Sequence, residues 1–143
     1  MELVKLAAVE LTYLTTTAVD YGPDLQYYGT LEGSLTGERL VGNLALTNLA
    51  PGRSDNVNQP TLRGLLTTAD GTELWVELDG IATLRAEDKA RVFLTSARFR
   101  TGTQRYGWLN NVFGVLEGVL DTETGTARGQ LFECRPTVAG PAN

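Results

Sequence analysis

The sequence predicts an all-β protein, a single antiparallel β-barrel of about eight to ten strands with a central cavity. Strand-like runs follow one another along the whole chain and are separated by short turns. Sixteen glycines are present, several of them inside those runs, where glycine is typical of bulges and barrel corners. The 143 residues, 42% of them hydrophobic, suffice for one domain with its own core. We expect the barrel to span residues 1–135 and a flexible tail to span 136–143.

Six strand-rich segments account for most of the chain. A helical period is hard to find, and only 84–92 is compatible with one helical turn. The polar stretch 50–61 predicts either a lid or a disordered connection. In chain order, the strand-rich segments are 3–17, 27–49, 61–83, 91–101, 110–120 and 127–135.

The clearest hairpin signal is Asp70-Gly71, between two apolar runs. A two-residue loop there would pair Gly64 with Glu77, which places Arg63 and Glu77 on opposite faces of the hairpin. Both faces would then be partly apolar. Such faces suit a closed barrel with a semi-polar interior, or a barrel whose outside packs on a second subunit. A homodimer is therefore one expectation.

Composition excludes several function classes. The net charge of −5 argues against a nucleic-acid partner, since phosphate binding depends on lysine and arginine. The chain has no histidine, which removes the common nucleophilic triads and the commonest metal ligand. No apolar run is long enough to span a membrane, and no signal peptide is visible. The single cysteine, Cys134, cannot form an internal disulfide, so we expect a cytoplasmic protein. We also expect that it needs neither a cofactor nor a metal.

Three short motifs resemble those of a family of small bacterial and fungal β-barrel proteins of unassigned function. The pieces have the forms R-x-x-L-x-T-x-D-G, F-x-T-G and R-Y-x-W-L-N. The resemblance covers about residues 30–133 and implies a closed barrel of small-molecule size. It also favours Arg63 inside the barrel. The matching residues are Arg63, Leu66, Thr68, Asp70, Gly71, Phe99, Thr101, Gly102, Arg105, Tyr106, Trp108, Leu109 and Asn110.

Such a barrel is similar also to the small spiroacetal cyclases of macrocyclic polyketide pathways. Those barrels close a dihydroxyketone into a spiro bicycle with polar cavity residues and no cofactor. Here the similarity consists of size, the expected barrel, the absence of histidine and an apolar lumen that carries carboxylates.

Glu117 is the first candidate catalytic residue. It lies in the most apolar run of the chain, 112–120. A carboxylate that is desolvated by such surroundings has a raised pKa and is a suitable general acid near neutral pH. The alternative is that Glu117 faces solvent, because alternation alone does not say which face is the lumen.

The other candidates come in two groups. Trp75 and Glu77 share one face of the predicted hairpin and would bind substrate if that face is the lumen; Arg63, on the opposite face, would stabilise charge on oxygen if its own face is the lumen. The second group is Phe99, Tyr106, Trp108 and Asn110, in the run 99–111. There Trp108 would form an apolar wall and Tyr106 and Asn110 would donate to a substrate oxygen, or the same residues would close the barrel.

The sequence therefore leaves three functions open. The first is a cofactor-independent cyclase or isomerase that binds an apolar, oxygenated small molecule and closes an oxygen ring, such as a spiroacetal, by general acid–base catalysis. The second is a calycin-like carrier that binds the same kind of ligand without chemistry. The third is a structural barrel with a filled lumen. We favour the first.

Overall fold

The chain forms a barrel in the computed structural model, which describes residues 1–138. Those residues form nine antiparallel strands and one 3₁₀ helix, Gln104–Asn111. The predicted fold class is confirmed. The strands are β1 (Glu2–Tyr21), β2 (Asp24–Thr36), β3 (Val41–Asn48), β4 (Pro51–Gly52), β5 (Thr61–Thr68), β6 (Glu73–Leu84), β7 (Arg91–Arg100), β8 (Phe113–Asp121) and β9 (Thr126–Arg135).

Eight of these strands close into a ring. Each pairs with its neighbour in the sequence, except that β3 pairs with β5 past the two-residue β4, which lies on the end of β2. The pairing of β1 with β9 completes the ring. The described strands end at Arg135, and the last five residues of the predicted tail, 139–143, lie outside the described residues.

The β5–β6 hairpin has a different register from the predicted one. Arg63 pairs with Glu77, and Thr67 pairs with Glu73, so the loop is longer by one residue than expected. Gly71 has a positive φ of 85° and donates its N–H to the Thr68 carbonyl, which is the geometry of a three-residue loop with a glycine bulge. A one-residue slip moves every side chain to the other face.

In this register most apolar side chains of the β5–β6 hairpin lie on its inner face. Leu62, Leu66 and Thr68 of β5 are buried together with Leu74, Val76 and Leu78 of β6. The alternating side chains face outward. The outer face nevertheless stays mixed, because Leu65 and Trp75 are exposed on it at 37% and 38%. A homodimer stays a prediction.

The two ends of the barrel are built differently. At one end the 3₁₀ helix lies across the opening, and its Tyr106 and Leu109 are buried in the core with Phe99. At the other end the barrel stays open between the chain connections. The connection 50–60 is an ordered strap: the N–H of Asn58 donates to the Ala82 carbonyl at 2.9 Å, and the reverse bond is 2.8 Å.

Within residues 1–138, no helix is long and apolar enough to cross a bilayer. The cytoplasmic location stays a prediction.

Candidate functional site

The open end leads into a cavity of about 530 Å³ inside the barrel. This volume is within the range of small-molecule binding sites. Its wall is mainly apolar, with Leu11, Leu31, Leu62, Leu78, Phe93, Leu116 and Leu120 among the lining residues. A few polar side chains interrupt the wall: Tyr13, Thr16, Tyr27, Asn48, Asn58, Lys89, Arg91, Thr95 and Thr122. No carboxylate is among the described residues that line it.

Tyr13 and Asn48 form a hydrogen-bonded pair in this wall. The side-chain oxygen of Asn48 accepts the Thr61 N–H at 3.0 Å, which fixes the orientation of the amide. Its nitrogen therefore donates to the Tyr13 Oη, at 2.8 Å. Because Asn48 supplies the proton of that bond, the phenolic O–H of Tyr13 is free to donate to a ligand. Burial raises the pKa of Tyr13, although the Asn48 bond partly opposes this, so the phenol keeps its proton at neutral pH.

A β-bulge places the Tyr13 ring. The register of β1 against β2 shifts between Tyr13 and Thr15, and Leu14 is left without a partner on β2. Bulges of this kind re-aim side chains. The ring then lies against Gly29, where a Cβ atom would come within 2.7 Å of the ring carbon Cε1. A side chain at position 29 would displace the ring.

Thr95 carries a second hydroxyl of the cavity wall. It lies on β7, is only 3% exposed, and its Oγ1 has no hydrogen-bond partner among the residues that the structure describes. An unpaired buried hydroxyl is costly in a folded protein, and its presence at a cavity suggests that a bound molecule satisfies it.

The inward-facing side chains of strand β7 extend from the mouth of the cavity to the closed end. Arg91, Phe93 and Thr95 line the cavity. Further along the same face, Ala97 and Phe99 are buried in the core. This inward face of β7 thus contributes two of the polar side chains of the site, Arg91 and Thr95.

Glu117 lies outside this cavity. It is exposed on β8, and it lines a separate shallow groove on the outer surface with Glu10, Val92 and Arg128. The expectation of a desolvated lumen carboxylate is therefore corrected. Its apolar neighbours in sequence, Leu116 and Gly118, alternate with it, and Leu116 takes the inward position.

Arg63, Trp75 and Glu77 also lie on the outer face, together rather than on opposite faces. The indole N–H of Trp75 donates to Glu77 at 2.9 Å, and Arg98 and Arg100 flank the same carboxylate at 3.5 and 3.3 Å. This lowers the pKa of Glu77, first through the Trp75 bond. Arg63 is engaged in a bidentate pair with Asp79, with both distances 3.1 Å. None of the three lines the cavity.

The run 99–111 closes the barrel instead of presenting groups to a ligand. Its central part is a 3₁₀ helix, not an extended strand, so Tyr106, Trp108 and Asn110 do not alternate on one face. The side chain of Asn110 bonds to both backbone groups of Thr101, each at 2.8 Å. Arg39 stacks on the Trp108 ring, 4.0 Å from its centroid.

Motif residues that carried the family resemblance meet at this closed end. Asp70 accepts a hydrogen bond from the Thr68 hydroxyl and forms an ion pair with Arg105 at 2.9 Å. The hairpin turn is thereby fastened to the 3₁₀ helix. The pattern R-Y-x-W-L-N therefore belongs to the closure of the barrel.

None of the predicted site residues therefore lines the cavity, and the residues that do were not singled out from the sequence. One signal was present in the sequence: the alternating residues of one strand run from charged to aromatic to hydroxyl, Arg91-x-Phe93-x-Thr95. This pattern indicates a cavity wall only when it is known which face of each strand points into the barrel, and closure of the barrel determines that face.

Among residues 1–138, no group of three or more acidic or cysteine side chains is placed to hold a metal ion.

No protein-family model matches the chain, and no curated protein sequence matches it. Solved structures share its fold. A β-barrel-like protein from Acinetobacter baumannii is 17% identical, with a TM-score of 0.81 over 92% of this chain and 94% of that chain. A conserved protein of unknown function from Rhodopseudomonas palustris is 18% identical, with a TM-score of 0.80 over 92% and 96%. A protein described as an enzyme, from Penicillium herquei, is 22% identical, with a TM-score of 0.70 over 92% and 94%.

Proposed function

We propose that the protein is a cofactor-independent cyclase or isomerase that binds an apolar, oxygenated small molecule in the barrel cavity and closes an oxygen ring on it. The observation that carries the proposal is the free phenolic O–H of Tyr13, oriented by Asn48 inside an apolar cavity. The enzyme among the structures that share the fold makes a catalytic role plausible for a barrel of this shape.

The chemistry is the addition of a substrate hydroxyl to a carbonyl in the same molecule. As the new C–O bond forms and the carbonyl π bond breaks, Tyr13 donates its proton to the carbonyl oxygen. The attacking hydroxyl loses its own proton, which returns to the phenolate directly or through water. Atoms and charge balance without a cofactor. A phenol with a raised pKa keeps the proton it must donate, and Asn48 stabilises the phenolate with its N–H.

The apolar cavity wall accelerates the reaction further, by holding the substrate in a folded conformation. Confinement by leucine and phenylalanine side chains folds a flexible chain so that its hydroxyl meets its carbonyl, which replaces much of the entropy cost of ring closure. The hydroxyl of Thr95 is then satisfied by a substrate oxygen. A spiroacetal product would need one such addition and then a second step. In that step the hemiacetal hydroxyl is protonated and leaves as water, and the second substrate hydroxyl adds to the resulting oxocarbenium ion and loses its proton.

The test uses Tyr13→Phe with a linear dihydroxyketone of polyketide type, and follows the cyclic product by NMR. We expect turnover to fall about 10²-fold, since the variant loses general acid catalysis. Loss of the Asn48 partner costs about 1 kcal/mol of stability, so circular dichroism should show a folded barrel. Glu117→Gln is the matched control: Glu117 lies outside the cavity, and its turnover should equal that of the parent protein.

Two results would contradict the proposal. Turnover unchanged in Tyr13→Phe would remove the proposed acid. A ligand that binds in the cavity and is recovered unchanged under all conditions would establish the carrier function instead.

A further inference from the structure

Arg91 differs from every other arginine of the described chain. Of the 12 lysines and arginines in the sequence, two are lysines, Lys5 and Lys89. Among the arginines, all but Arg91 lie within 4 Å of a carboxylate. Arg91 has no carboxylate partner among residues 1–138, and it is also the arginine that lines the cavity. The exception therefore coincides with the site.

The contacts of Arg91 hold its guanidinium without neutralising it. The Nη1 atom donates to the backbone carbonyl of Asn56, in the strap across the mouth, and to the Ala82 carbonyl at 3.4 Å. Both acceptors are uncharged. Lys89, the other cation that lines the cavity, is likewise in no ion pair with a described residue. Within residues 1–138, neither of the two cations that line the cavity forms an ion pair.

The charge of the rest of the protein makes this arrangement unusual. The chain carries a net charge of −5, yet no carboxylate is among the described residues that line the cavity. A half-buried cation normally has a counter-charge in proteins. The charged side chains that line the cavity are therefore positive although the chain as a whole is negative, and they favour an anionic group on a bound molecule.

We infer that the substrate carries an anionic oxygen group, which Arg91 binds at the mouth with Lys89 beside it, while its apolar body fills the barrel. A planar guanidinium suits such a group because it donates more than one hydrogen bond to it. The inference rests on the proposed function in taking the cavity as the substrate site. It adds that neutral hydroxyketones are poorer substrates than the corresponding acids.

Two fluorescent probes test the charge preference directly. 1-Anilinonaphthalene-8-sulfonate and N-phenyl-1-naphthylamine share one ring system and differ by the anionic sulfonate. We expect the parent protein to bind the sulfonate more tightly, and Arg91→Gln to lower that affinity about tenfold while it changes the affinity for the neutral probe less than about twofold. The preference should weaken as salt is raised. Decanoate, and not decanol, should displace the sulfonate, which extends the result to carboxylates.

Three variants control for structure and site. Arg91→Lys retains the positive charge and should keep most of the preference. Lys89→Gln should reduce it less than Arg91→Gln does. Arg128→Gln removes an arginine that is exposed on the outer surface and paired with Glu10 at 3.6 Å, and it should leave both probes unaffected.

Equal binding of the two probes by the parent protein would overturn the inference. So would an equal loss of both probes in Arg91→Gln, or a loss in Arg91→Lys as large as in Arg91→Gln, because the arginine would then only hold the strap in place. These failures are separable from failure of the proposed function. A protein that prefers the anionic probe but never cyclises a substrate has the anion site and is a carrier; one that cyclises substrates but binds both probes equally is an enzyme without it.

Discussion

The closed and open ends of this barrel differ in how their polar side chains are hydrogen-bonded. At the closed end the polar side chains that fasten the closure are paired: Asp70 bonds to Thr68 and Arg105, and Asn110 to Thr101. At the open end the Tyr13 hydroxyl has no acceptor and the Thr95 hydroxyl no partner among the described residues. The difference indicates that the closed end is optimised for stability, whereas the open end keeps bonding capacity in reserve for a ligand.

The largest expected effect comes from weakening the closed end. Leu109 is 0% exposed within the 3₁₀ helix, and Leu109→Ala leaves a cavity in the core. We expect a loss of about 2–5 kcal/mol in the free energy of unfolding, measured by urea denaturation. Leu84→Ala is the matched variant at the mouth, where the side chain is 39% exposed. It should cost less than about 1 kcal/mol. Equal losses would show that the two ends do not differ in packing.

A smaller effect of opposite sign is expected in the cavity wall. Thr95→Val replaces the unpartnered hydroxyl by a methyl group of the same shape, so stability should rise by about 1 kcal/mol. Turnover of the cyclisation substrate should fall, because the ligand loses a hydrogen bond. A calorimetric melt and a turnover assay on one preparation measure both. If Thr95→Val is less stable than the parent protein, the hydroxyl has a structural partner and the comparison of the two ends fails.

The smallest expected effect concerns acid and the closed end. The Thr68 hydrogen bond, followed by backbone N–H bonds and the Arg105 charge, lowers the pKa of Asp70 from 3.8 to about 2. A depressed pKa means that the ionised form stabilises the fold fully above about pH 4 and that this contribution is lost as the pH falls towards 2. Asp70→Asn should therefore lower the urea midpoint at pH 7 and have almost no effect near pH 2.

The control for this comparison is Glu123→Gln, which removes an exposed carboxylate that forms no ion pair within residues 1–138. Its urea midpoint should match that of the parent protein at both values of pH. A loss in Asp70→Asn that is the same at pH 2 and pH 7 would exclude the ionised carboxylate as its cause.

The sequence was sufficient for the fold and insufficient for the site, for one physical reason. Strand-forming runs and turns are local properties, and the pattern between 61 and 83 predicted its hairpin correctly. Whether a side chain faces the lumen depends on register, and register depended on one residue of loop length at Gly71. That slip was enough to separate Arg63 from Glu77, which in fact pair directly.

For residues 99–111 the structure shows the second of the two alternatives, closure of the barrel. Rings, amides and arginines within one short segment suggested a ligand site, but these side chains bond to each other and to the backbone at the closed end. The cavity residues gave a weaker signal because single polar side chains, such as Thr95, are spread over strands that are otherwise apolar. Polar and aromatic residues are easiest to notice in a sequence where they lie close together, and in this chain that group of residues stabilises the closed end.

The pairing of β1 with β9 has a consequence for how the barrel forms. Every other seam of the ring joins strands that are at most 12 residues apart in the sequence, whereas this one brings residues 2–12 against 126–135. Closing so long a loop has a large entropic cost that is recovered only when the seam is complete. We therefore expect an open, curved sheet to precede the ring during folding, with cavity and mouth appearing only in the last step.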